Sequence, residues 1–288
     1  MTQTETQPFD DIRALFEALP PVSQAPAPAG AGQALPALAA WLRPWRGAAP
    51  IRRPVLCLYA GAHAGGDIGP MRERMEALAA GGAALNHGLA HLGAGLDVFD
   101  LALERPVADV AVGAAMSERD CAATMAFGME ALAKQPDLLV LRGEGPGADQ
   151  AGADLGEALS GAEGRARPAV LRARAEAGGD PLQLLRQLGG RETAALAGAI
   201  LAARQQGVPV LLDGVAALAA AAVVQAVDAG ATVHCRISAT PQTPPGLALA
   251  ARLELSPLLG APWAAEDGTA AVAALSLIRL AAMMAAGG

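Results

Sequence analysis

From Pro54 onward, short β-branched or apolar runs alternate with long helical stretches, and this alternation restricts the fold more than any other feature. The runs VLCLYA (55–60), LDVFDL (96–101), LLVLRG (138–143), PVLLDG (209–214) and TVHCRI (232–237) read as strands. Helical patterns fill 71–80, 84–92, 118–132, 191–204 and 215–227. Such alternation specifies a parallel sheet flanked by helices. The expected fold class is therefore α/β, a Rossmann-like parallel sheet with helices on its faces.

The first fifty residues differ in composition. A short amphipathic helix over 9–19 is followed by PPVSQAPAPAGAGQ and a second helix over 35–45. Pro and Gly make the middle a linker. We expect residues 1–50 to pack as a small helical subdomain and 51–288 to form the α/β domain. A chain of 288 residues buries a sizeable core. Because it is 53% hydrophobic but only 3% aromatic, that core must be built from Ala, Leu and Val, with helices close to the sheet.

A net charge of −7 argues against nucleic acid as a partner, since phosphate backbones select basic faces. Cys57, Cys121 and Cys235 are odd in number and widely spaced, which suggests neither a disulfide framework nor zinc; a reducing cytoplasm fits. The acidic N-terminus does not resemble a signal peptide, and no apolar run is long enough to span a membrane. His87 and His91 share a helix face, but no carboxylate or cysteine completes a metal motif, so neither metal nor cofactor is expected.

In open parallel sheets ligands lie beyond the carboxyl ends of the strands. Three such ends carry chemistry here. After the third strand, Gly143, Gly145 and Gly147 let the backbone approach a ligand, and a following helix N-terminus would offer free N–H groups to an anion. Glu144 lies inside this loop. Asp213-Gly214 ends the fourth strand, where a side chain can point at a ligand, and His63 follows the first strand in GAHAGGD. Glu266, in AEDGTAA, stands at the mouth of another helix. Each has a structural alternative: the glycines as turn geometry, Asp213 and Glu266 as helix caps.

Several segments carry a resemblance: AGAHAG (60–65), AAGGAALNHGLAHLGAGLDVFDL (79–101), AMSERDCAATMAFGMEAL (115–132), LGGRETAALAGAILAARQQGVPVLLDG (188–214) and AEDGTAAVAA (265–274). In these the chain resembles the nicotinate-nucleotide:dimethylbenzimidazole phosphoribosyltransferase family over essentially its whole length. The resemblance implies transfer of phosphoribose from nicotinate mononucleotide to 5,6-dimethylbenzimidazole, giving α-ribazole 5'-phosphate for the lower ligand of cobalamin. It also implies a homodimer without a cofactor. Glu266 falls on the family's catalytic glutamate, which takes the proton from the attacking azole. The Gly143–Gly147 loop falls on the family's GEMGIGNTT, Asp213-Gly214 on its LLDG, and Arg167 aligns loosely with a lysine near the nucleotide.

The family pattern is also broken in places. Asn-Thr-Thr after the loop becomes Ala148-Asp149-Gln150, Glu144 stands one place from the family glutamate, and the base-binding segment shrinks to AGGDIGP (64–70). Two functions follow: an active transferase using this or a related azole, or an impaired paralogue serving as a nucleotide-binding, regulatory or structural partner.

Overall fold

The computed structural model describes residues 7–21, 34–161, 166–262 and 267–286. Helices α1 (Pro8–Glu17) and α2 (Ala34–Arg46) precede β1 (Pro54–Ala60). There follow α3 (Gly69–Ala79), α4 (Ala84–His91), β2 (Gly95–Asp100), α5 (Glu118–Gly128), β3 (Leu138–Glu144), α6 (Ala148–Ser160) and α7 (Pro168–Ala177). The chain continues through α8 (Pro181–Leu188), α9 (Arg191–Gln206), β4 (Val210–Asp213), α10 (Val215–Val227), β5 (Cys235–Thr240), α11 (Pro244–Leu253), β6 (Pro257–Pro262) and α12 (Thr269–Ala286). Among the described residues these strands form one sheet in the order β2-β1-β3-β4-β5-β6, every neighbouring pair parallel. The expected α/β class holds.

Two cores lie on the two faces, and the strands' period of two divides them. Cys57, Tyr59, Leu139, Leu141, Val210 and Leu212 face α5 and α6–α10, whereas Leu56, Leu58, Leu138, Val140 and Leu211 face α2, α3, α4 and α12. Each fully buried Leu or Val contributes about 1.5–3 kcal/mol. Helices α1 and α2 join different cores: Phe9, Ile12 and Phe16 the first, Leu38, Trp41 and Leu42 the second. The two helices of residues 1–50 are thus distributed over both faces of the sheet and do not share one small core.

The scarcity of aromatics has its counterpart in close backbone packing. A Cβ on Gly128 would stand 1.9 Å from the carbonyl oxygen of Ala195, so α5 and α9 touch backbone to backbone. There the helix expected over 118–132 changes, α5 giving way to a 3-10 turn over Met129–Leu132.

Two strand expectations need correction. The fifth strand starts at Cys235 rather than Thr232, because Asp228 accepts a bond from the Gly230 amide (2.6 Å) and holds Ala229–Thr232 in a 3-10 turn. The sixth, Pro257–Pro262, lies outside the expected strands because its two prolines read as loop; among the described residues it pairs with β5 alone, and an edge strand tolerates missing donors.

Candidate functional site

The strand order reverses at β1, with β2 on one side and β3 on the other, and a crevice opens at the carboxyl ends of β1 and β3. The glycine loop fills its floor. Gly61 donates its amide to the Glu144 carbonyl (3.0 Å) and His63 its amide to the Pro146 carbonyl (3.1 Å), stitching the end of β1 to the loop. Gly145 has φ +143°, and a Cβ there would stand 1.8 Å from the Gly61 carbonyl oxygen. Gly147, at φ +89°, is the N-cap of α6. Neither position admits another residue without strain.

Above the loop lies a cleft of about 370 Å³, walled by Asp67 and Arg74 on one side, Glu144, Gly145 and Asp149 on another, and Gly214 on the third. A smaller hollow of about 40 Å³ shares Arg142 and Gly214 with it and reaches Ser238 and Gln242.

One chain of charges crosses the cleft. Arg142, pointing up from β3, donates through Nη1 to Asp213 Oδ2 (2.6 Å) and through Nε to Glu144. Arg74, from α3, grips the same Glu144 through Nε and through Nη2 (2.8 Å to Oε1). Ser238 donates its hydroxyl to Asp213. Burial works to neutralise Glu144, but the charges and hydrogen bonds of Arg142 and Arg74 outweigh it and hold the carboxyl below its ordinary pKa. Burial likewise opposes the Arg142 charge, and Asp213 and Glu144 keep it protonated.

A second pair lies under the loop. His63 Nε2 stands 3.0 Å from Glu192 Oε1, and Glu192, in the first turn of α9, is fully buried. Gly61 and Gly190 make room for this carboxylate: a Cβ on either would come within 2.1–2.2 Å of Oε2. Burial disfavours the charged imidazole, yet the hydrogen bond and charge of Glu192, with Asp154, raise the His63 pKa above its ordinary value.

The comparisons with known proteins agree with one another. A family model described as phosphoribosyltransferase matches residues 18–167 and 155–287. The nicotinate-nucleotide:dimethylbenzimidazole phosphoribosyltransferase of Agrobacterium fabrum is 39% identical over 314 aligned positions, covering 96% of this chain and 91% of its own. That of Allorhizobium ampelinum is 40% identical, covering 96% and 92%. The crystal structure of the same enzyme from Thermus thermophilus superposes with a TM-score of 0.77 at 26% identity, covering 96% of this chain and 95% of that one. The chain belongs to this phosphoribosyltransferase family.

Within this family member, the structure brings some of the expected residues together and leaves others apart. Gly143, Glu144, Gly145 and Gly214 line the cleft, and Asp213 lines the adjoining hollow. Gly147 caps α6 behind them. His63 turns its ring to Glu192 and is not among the residues lining the cleft. Arg167, at the N-cap of α7, is paired with Asp154 on α6 and likewise lies outside the cleft lining. Glu266 lies outside the described residues. Its neighbour Asp267 accepts a hydrogen bond on its carbonyl from Arg74 Nη2 (2.8 Å), so the chain resumes beside Glu144. Asp267 then caps α12 through the Thr269 amide (3.0 Å) and hydroxyl (2.6 Å).

Four residues of the site were not singled out from the sequence: Arg74, Arg142, Glu192 and Ser238. Arg142 left a trace, since an arginine among Leu139, Val140 and Leu141 is a charge inside a buried strand. Glu192 follows the Gly189-Gly190 pair in an otherwise alanine-faced helix. Arg74, one charge among several on α3, and Ser238 left none.

Proposed function

We propose that this family member transfers phosphoribose from nicotinate mononucleotide to 5,6-dimethylbenzimidazole or a related azole, yielding α-ribazole 5'-phosphate for the lower ligand of cobalamin. The carrying observation is the Arg74 bridge: one guanidinium holds both Glu144 of the glycine loop and the carbonyl of Asp267. It ties the segment that follows Glu266 to the rim of the cleft.

In this reading Glu266 accepts the proton from one azole nitrogen while the other attacks the anomeric carbon. The C–N bond to nicotinate breaks, and its electron pair returns to the ring nitrogen, neutralising the pyridinium charge. Little further chemistry is needed, and positioning supplies much of the rate. The crevice at β1 and β3 supplies that positioning, with the close-packed backbone of Gly145 on its floor. The reaction needs neither metal nor cofactor, and we place it in the cytoplasm, in a homodimer; the buried free thiols of Cys57, Cys121 and Cys235 accord with a reducing compartment.

The test is incubation of the purified protein with both substrates and chromatographic detection of α-ribazole 5'-phosphate. Accumulation of that product is the expected result. A second reading, an impaired paralogue acting as a nucleotide-binding or partner subunit, draws support from Asp149. That carboxylate stands in the first turn of α6, where it weakens the helix end as an anion site. Nucleotide binding without any product would favour this second reading.

A further inference from the structure

Asp149 poses a question that the cleft itself answers. A donor carrying a 5'-phosphate needs a cationic partner, and the N-terminus of α6 is blunted by a carboxylate in its own first turn. Among the described residues two arginines line the cleft, Arg74 and Arg142. They are not equivalent. Arg142 has a side-chain exposure of 7% and answers two carboxylates, Glu144 and Asp213. Arg74 has an exposure of 28%, comes from α3, and has Glu144 as its one carboxylate partner among the described residues, bound through Nε and Nη2, while the same Nη2 also donates to the Asp267 carbonyl (2.8 Å). Its Nη1 makes no hydrogen bond among the described residues.

Glu144 is bound twice over. If Arg74 turned away, the carboxylate would keep its bond from Arg142 Nε, so no buried charge would be orphaned. Glu144 therefore resembles an internal stand-in for an oxyanion: it presents two oxygens to a planar, bidentate guanidinium, as a phosphate would.

We propose that Arg74 is the ligand for the donor's 5'-phosphate, taken up by exchanging Glu144 for the phosphate. This rests on the transfer reading above and names the recognition group for its donor. Exchange swaps one charge-assisted pair for another, so it costs little desolvation. Glu144 competes with the incoming phosphate and thereby sets the affinity.

The test is calorimetric titration of the full chain and its variants, checked for folding by thermal melting, with three probes. Nicotinate mononucleotide carries phosphate and carboxylate, nicotinamide mononucleotide only the phosphate, and nicotinate riboside only the carboxylate. Arg74→Met should weaken both mononucleotides about 10- to 100-fold and leave the riboside within about twofold. Arg74→Lys, which keeps charge but not the fork, should fall between. Glu144→Gln should tighten both mononucleotides by at least about threefold, because the competitor is neutral. Unchanged mononucleotide affinity in Arg74→Met, or weakening confined to the riboside and nicotinate mononucleotide, would overturn the assignment. Weaker mononucleotide binding in Glu144→Gln would overturn the exchange. Failure of the wild-type chain to bind either mononucleotide would overturn it as well. The two readings separate cleanly: binding through Arg74 without product refutes transfer and leaves this inference standing. Product formation with binding indifferent to Arg74 does the reverse.

Discussion

Two sets of charges share the carboxyl end of the sheet. Beneath the glycine loop, Glu192 is sealed against His63, with Gly61 and Gly190 leaving it just enough room. Above the loop, Arg74 reaches Glu144 from the solvent side of an open cleft. The first pair is held at its carboxylate end, because Glu192 is fully buried and a Cβ on Gly61 or Gly190 would strike it. The open pair can trade partners. Stability should therefore depend on the first and binding on the second, although only the thickness of one loop separates them.

The comparison breaks most severely where a buried partner is removed. His63→Ala removes the cationic partner of the buried Glu192 carboxylate, which keeps a hydrogen bond from the Thr193 hydroxyl (3.2 Å), and should cost about 3–5 kcal/mol in urea unfolding. A loss below about 1 kcal/mol would show that the pair is not a structural element. Gly61→Ala pushes a methyl group into Glu192 and should cost about 1–3 kcal/mol; a neutral result would mean that the carboxylate has room to move.

Protonation sharpens the same contrast. The folded-state pKa of His63 is raised above 6.5, with Glu192 on α9 and Asp154 on α6 as the carboxylates acting on it. Its contribution is complete below about pH 6.5 and is lost as pH rises through the folded value. Stability should thus decline on the alkaline side, and His63→Gln should remove that slope. His234 has the opposite sign: burial, then the charge of Arg204, depress it to about 3, so its contribution is complete above its ordinary 6.5 and lost as pH falls from there toward 3. An alkaline slope unchanged in His63→Gln, or a wild-type profile flat below pH 6.5, would contradict these assignments. The smallest stability effect belongs to Arg74→Met. With Arg74 at the solvent side and Arg142 still on Glu144, the loss should stay near about 1 kcal/mol or less, however large the loss of binding.

The fold was legible where one local signal decided it. Strands β1, β3 and β4 are continuous apolar runs, and helices α9 and α10 stand between glycine signals, so both class and order could be read along the chain. Strand β5 slipped by three residues because a side-chain cap at Asp228, invisible to hydropathy, extends the preceding turn. Strand β6 was lost because its prolines read as loop. The site was legible only in part, for a related reason. Glycines of the loop announce themselves through backbone geometry, whereas three of the site's ion pairs join residues far apart: His63 and Glu192 by 129 positions, Arg142 and Asp213 by 71, Arg74 and Glu144 by 70. Sequence places one member of each pair at a strand end. Only the fold supplies the other.

In the proposed function this crevice carries out transfer with Glu266 as the base. That role is tested most directly by measuring α-ribazole 5'-phosphate formation and nicotinate mononucleotide affinity side by side in wild type and Glu266→Gln. Product is expected from the wild type and none from the variant, with nearly equal nucleotide affinities. Undiminished turnover in Glu266→Gln would contradict it.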